Sequence, residues 1–160
     1  MKQSKANGAG GKILLAALGT LPMAGGWLMN WYMMQEDSLR RFDLISAGFL
    51  LLWGLLAFTA CPWAKSAKEA VLLLHAVAAL DLLLLAVQEI VLGAYWSNSM
   101  GLWSQLFFLP VLPFASTPTA WIGRIIGGAP LFLSYVIAFT LMVLIAWAGS
   151  SLRKRMGKSR

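Results

Sequence analysis

The chain has 160 residues, 59% of them hydrophobic and only 12% charged, with a mean hydropathy of +0.73. Soluble domains devote about a quarter of their residues to charge, so this is an integral membrane protein built as a single all-α domain. Its one cysteine, Cys61, excludes an intramolecular disulfide, a CxxC redox pair and a multi-cysteine metal site, and its formal net charge of +7 is distributed along the chain as membrane topology requires, not as a nucleic-acid surface.

Residues 1–12, with Lys2, Lys5, Lys12 and three glycines, have no hydrophobic period and read as a flexible basic cytoplasmic tail. Residues 13–34 form the first expected span, because crossing the hydrocarbon core takes about 20 apolar residues. A basic start before an apolar run also describes a secretory signal cut after Ala24. Pro22 stands where cleavage wants a small side chain, however, and the apolar pattern continues to Met34. Pro22 cannot donate to the carbonyl of Leu18, so a kink is expected there, with Ala16, Thr20 and Ala24 as a close-packing stripe.

A polar connector, residues 35–43, precedes a second span at about 44–63, on which Ser46, Trp53, Ala57 and Ala60 share one side. The short turn around Lys65 and Lys68 then allows only an antiparallel hairpin with a third span, at about 69–96. Beyond it, residues 97–130 hold an apolar run, 102–121, broken by Pro110, Pro113 and Pro118.

Charge decides how that run is read. If it does not cross, ten basic residues lie on the N-terminal side: Lys2, Lys5, Lys12, Lys65, Lys68 and the five in the C-terminal tail. Only Arg40, Arg41 and Arg124 lie opposite. If it does cross, the bias disappears. The expectation is therefore four transmembrane helices, with a Pro-rich re-entrant or interfacial segment between the third and fourth. The last span covers about 131–148, and a basic cytoplasmic tail, 151–160, follows it. Both termini are cytoplasmic, in a cell (inner) membrane.

The third span carries the side chains that a bilayer tolerates least. Taking His75 as zero and about 100° per residue, Asp81 falls near 240°, Gln88 near 220° and Glu89 near 320°, one arc of roughly 140°. Leu72, Leu80, Leu83, Val87 and Ile90 occupy the lipid side. An ionised carboxylate at Asp81's depth costs about 2.5–3.5 kcal/mol even on insertion scales, so a protonated acid or an ion pair is the expected state, and intramembrane ionisable groups mark functional sites. Asp81 and Glu89 lie eight residues, about 12 Å, apart, too far for an aspartyl dyad. The single histidine makes no multi-histidine metal site, and no phosphate-binding or dinucleotide motif is present. Arg124, beside Gly123 and Gly127, is expected to reach Glu89 and hold the Pro-rich segment as a cap.

The expected function is binding or conduction of a small solute or cation through the polar arc His75, Asp81, Gln88 and Glu89, within an oligomer or transport complex, without cofactor, metal or nucleic acid. The alternative is an accessory or assembly subunit docking another membrane protein through the same face. A third reading is an intramembrane lipid- or quinone-modifying enzyme.

Overall fold

A computed structural model describes residues 8–35, 41–128 and 130–158. Within them the regular structure is entirely helical: α1 (Ala9–Leu18), α2 (Leu21–Met33), α3 (Phe42–Ala60), α4 (Ala67–Leu74), α5 (Ala76–Ala86), α6 (Ser99–Phe107), α7 (Leu112–Ile126) and α8 (Leu131–Lys158). A 3-10 turn, Cys61–Trp63, ends α3, and a π turn, Val87–Val91, ends α5. Three stretches, Ala9–Met33, Phe42–Trp63 and Leu131–Gly157, are long and apolar enough to cross a membrane. Two bent pairs, α4 with α5 and its π turn (46°) and α6 with α7 (85°), raise the candidates to five. The chain is therefore an all-helical membrane protein.

The longest helix, α8, is the spine. It runs parallel to α3, residue numbers rising together from the aromatic end toward the Cys61–Ser150 contact, and also meets α4, α5 and α7. At one end the Cys61 thiol donates to the carbonyl of Ser150 (3.5 Å), and Lys154 Nζ donates to that of Ala64 (3.2 Å). Lys12 pairs with Glu69 there (2.7 Å), and the Ser66 hydroxyl accepts from the Glu69 amide to cap α4. This is the basic end. At the other, aromatic end the first turn of α8 meets the π turn, and Trp27, Trp31, Trp103 and Trp121 are exposed. Apolar burial gives little drive for association in lipid, so these helices depend on close fit. A Cβ on Gly26 would lie 1.8 Å from the Leu106 carbonyl oxygen, which shows how closely α2 and α6 approach.

Several sequence expectations are revised. The N-terminal stretch is helical from Ala9 and its Lys12 is ion-paired, while residues 1–7 lie outside the described residues. The last helix does not stop at 148 but carries its basic residues on to Lys158, since nothing in that sequence breaks a helix. The first span is interrupted at Gly19–Thr20, one turn before Pro22, and the Thr20 hydroxyl donates to the Ala17 carbonyl (2.8 Å). Its packed stripe is Leu15, Gly19, Pro22, Gly26 and Met29; Ala16 is half-buried, and Thr20 and Ala24 are exposed. The α3 stripe Ser46, Trp53, Ala57 and Ala60 is buried as expected. Of the connector, residues 36–40 fall outside the described residues.

The third span is neither straight nor as long as 69–96. It bends at His75, which sits at φ −104°, ψ 6°. The His75 ring Nδ1 lies 2.8 Å from the Val71 carbonyl, which also accepts from the His75 amide (3.0 Å). A side chain that shares the carbonyl of its own preceding turn is a sufficient cause of a helix bend. At the far end the helix loosens into the π turn, and Gly93, at φ +63°, supplies the left-handed residue that stops it.

Candidate functional site

The polar arc of the third span faces into the bundle. His75 and Gln88 are buried, Asp81 and Glu89 half-buried, and Leu72, Leu80, Leu83, Val87 and Ile90 face outward. The four polar residues do not form one contact group. They make three stations along the helix.

His75 is the station nearest the basic end. A carbonyl only accepts, so the ring nitrogen facing Val71 O donates to it. Nε2 faces the Met142 backbone without closing a hydrogen bond. The Trp53 ring (5.6 Å, 87°) and the Phe139 ring (5.9 Å, 90°) meet the imidazole edge-on from α3 and α8. Trp53 Nε1 and Ser46 Oγ are likewise buried without a hydrogen-bond partner among the described residues.

Asp81, about 9 Å further along the axis, is the middle station. Its Oδ2 is buried without a hydrogen-bond partner, and among the described residues no cation lies within ion-pair distance of it. Tyr135 of α8 lies within electrostatic reach of both Glu89 and Asp81. Sequence reading missed Tyr135, although a tyrosine within an otherwise apolar run of the last span was the available signal.

The third station is built on the π turn, where the amide of Leu92 reaches back to the Val87 carbonyl (3.0 Å). The widened turn aims two consecutive side chains, Gln88 and Glu89, at two different neighbours, and π turns recur at functional sites. Gln88 Nε2 donates to Ser104 Oγ (3.2 Å), and its Oε1 accepts from the Trp96 amide (2.9 Å). Ser104 in turn donates to the Gly101 carbonyl (2.9 Å), so Gln88 fastens α6 to the third span.

Glu89 Oε2 accepts from the Tyr95 hydroxyl and from the Phe132 amide (2.6 Å). Phe132 is the second residue of α8, so the carboxylate caps that helix from another element, where the dipole favours negative charge. Tyr95, just beyond the π turn, is turned in on Glu89. The Tyr95 ring meets Tyr135 (6.3 Å), and Tyr135 meets the fully buried Phe108 at the α6–α7 elbow (5.9 Å). The elbow and the carboxylates therefore share one aromatic wall.

Arg124 does not join this arrangement. Its guanidinium lies 5.7 Å from the Trp121 ring centroid on the exposed side of α7, and the pair with Glu89 expected from the sequence is not formed. Glu89 finds its donors locally in Tyr95 and Phe132, while Arg124, in the last turn of α7, is turned toward Trp121. Gln88 has both ends of its amide committed to α6 and its approach. Among the described residues no group of three His, Cys, Asp or Glu side chains is placed to hold a metal.

Comparison of the chain with protein-family models, curated proteins and solved structures finds no match. The geometry alone therefore carries the functional argument.

Proposed function

We propose that this protein is a four-span membrane protein that binds a proton or a small cation at Asp81, as part of a transport assembly. The carrying observation is the Asp81 carboxylate oxygen, buried in the third span with no hydrogen-bond donor and no compensating cation among the described residues. A buried charge needs a partner, and a proton or a small cation is the simplest partner for a lone carboxylate. Tyr135, within electrostatic reach of Asp81, is the side chain this reading assigns to help hold such a ligand, and Glu89, held by Tyr95 and Phe132, is the structural acid of the pair. His75, one station nearer the basic end, with an Nε2 that closes no hydrogen bond among the described residues, is the relay toward that end. A four-span bundle offers little room for a complete pathway, so the working unit is an oligomer or a larger complex.

The topology proposed with it is a re-entrant α6–α7 hairpin and cytoplasmic termini in the cell (inner) membrane. Two hydrogen bonds support it: Trp96 and Phe132, which bracket the hairpin and the start of α8, are tied to the adjacent residues Gln88 and Glu89. The sorting of basic residues supports the orientation. Burial of Gln88 and His75 within the chain speaks against the alternative in which this face docks another protein.

The test is the thermal stability of purified protein in detergent against pH and against Li⁺, Na⁺ and K⁺ at constant ionic strength. The wild type is expected to shift its Tm with one of these ligands, and Asp81→Asn to lose that shift while keeping the fold. A ligand-dependent shift that survives unchanged in Asp81→Asn would reject Asp81 as the site.

A further inference from the structure

On the side of the bundle away from the polar arc, α3 and α8 enclose an apolar groove of about 960 Å³, at the upper end of the size expected of a ligand site, roughly 300–1,000 Å³. Leu51, Leu55 and Phe58 line one wall, and Leu141, Ile145 and Leu152 the other. Its floor is set by two glycines. A Cβ on Gly149 would lie 2.3 Å from the Gly54 carbonyl oxygen, so α3 and α8 touch backbone to backbone at the groove's base and leave the space above it open. Phe114 and Pro118 of α7 bound the groove away from the basic end. From Phe58 to Ala47 along α3 is eleven residues, or about 16 Å, close to the depth of one leaflet, which is about half of a 30 Å hydrocarbon core.

The end of the groove nearest the basic tail is the chemically distinctive part. The Arg153 guanidinium lies 5.3 Å from the centroid of the Phe58 ring, which itself lines the groove. Arg153 is exposed and, among the described residues, has no carboxylate partner, whereas its neighbour Lys154 is committed to the Ala64 carbonyl. A planar cation is therefore positioned at the mouth of an apolar slot of one-leaflet depth. Arginine is the side chain suited to bidentate pairing with phosphate.

We propose that this groove holds an acyl chain of an anionic glycerophospholipid, with the lipid phosphate on Arg153. A spanning helix of a partner needs about 30 Å of continuous surface, which the boundary at α7 denies it. The site is independent of Asp81, and its test does not depend on transport.

The experiment is native mass spectrometry of full-length protein released from detergent with defined amounts of dioleoyl-phosphatidylglycerol or dioleoyl-phosphatidylcholine. The wild type is expected to retain one phosphatidylglycerol per chain with at least tenfold preference. Arg153→Gln should abolish the preference, and Ala148→Phe, which fills the groove from an exposed lining position, should weaken retention of both lipids. Equal retention of the two lipids by the wild type, or a preference that survives Arg153→Gln, would overturn the proposal in favour of ordinary annular lipid. A dimer that Ala148→Phe splits would overturn it in favour of a second copy in the groove. Arg153 is exposed, so its variant keeps the test decisive if Ala148→Phe does not fold.

Discussion

Replacing Gln88 by leucine tests how the α6–α7 elbow is held. The side chain is fully buried, and its amide makes two bonds, to Ser104 Oγ at 3.2 Å and from the Trp96 amide at 2.9 Å. Leucine fills nearly the same volume, so the loss is polar and not a cavity. In membrane proteins such side-chain bonds average about 0.6 kcal/mol each. Stranding the Trp96 N–H adds a desolvation cost of roughly 1–3 kcal/mol, partly relieved because that amide is only part-buried. The expected destabilisation is about 2 kcal/mol, measured by reversible unfolding in mixed dodecylmaltoside and dodecylsulfate micelles. Ser104 keeps its bond to Gly101 in Gln88→Leu, whereas Ser104→Ala removes that bond together with the one from Gln88 and should cost about 1 kcal/mol, and the double variant should show coupling of about 0.5–1 kcal/mol. Amide hydrogen exchange across residues 96–107 should rise in Gln88→Leu. A loss below about 0.5 kcal/mol with unchanged exchange would mean that Gln88 is not the fastening of α6.

Further predictions rest on single contacts. Gly26→Ala would force a methyl into the Leu106 carbonyl and is expected to cost about 1–3 kcal/mol or more, read by the same unfolding assay; a silent substitution would show that α2 and α6 are not in close contact. Glu89→Gln keeps an acceptor for the Phe132 amide but removes the charge at the start of α8, with an expected loss of about 0.3–2 kcal/mol, and Glu89→Leu should cost more. Because Arg124 lies on Trp121 and not on Glu89, the cycle of Glu89→Gln with Arg124→Gln should be additive within about 0.5 kcal/mol. A larger coupling would restore the cap model. Tyr135→Phe keeps the ring packing against Tyr95 and Phe108 and should leave stability nearly unchanged while weakening the ligand-dependent Tm shift; an undiminished shift would remove Tyr135 from the site.

Periodicity made much of this legible. The lipid and protein faces of the third span follow from an apolar stripe at helical spacing, and the buried side of α3 was marked by small residues and one tryptophan. Local conflicts between side chain and backbone were not legible. Nothing in the pattern shows that His75 would take up its own turn's carbonyl and bend the helix, or that Gln88 and Glu89 would sit in a widened turn. A straight 3.6-residue wheel assigns these residues to one arc, whereas the bend and the π turn separate them into three stations. The partners of Glu89 were hidden for a different reason: a backbone amide leaves no mark in a sequence, and nothing in the pattern shows that the chain after the π turn brings Tyr95 back onto the carboxylate. The small-residue stripe of the first span was misplaced because the break at Gly19–Thr20 shifts which residues face inward.

Flux in proteoliposomes tests whether Asp81 is where this protein takes up a proton or small cation. Wild type and Asp81→Asn would be reconstituted at equal density, and internal pH and Na⁺ followed with trapped dyes after an imposed pH or Na⁺ gradient. Gradient-driven flux is expected in the wild type and should fall at least tenfold in Asp81→Asn while the variant keeps its helical content and elution volume. Flux in a folded Asp81→Asn equal to that of the wild type would contradict that role for Asp81.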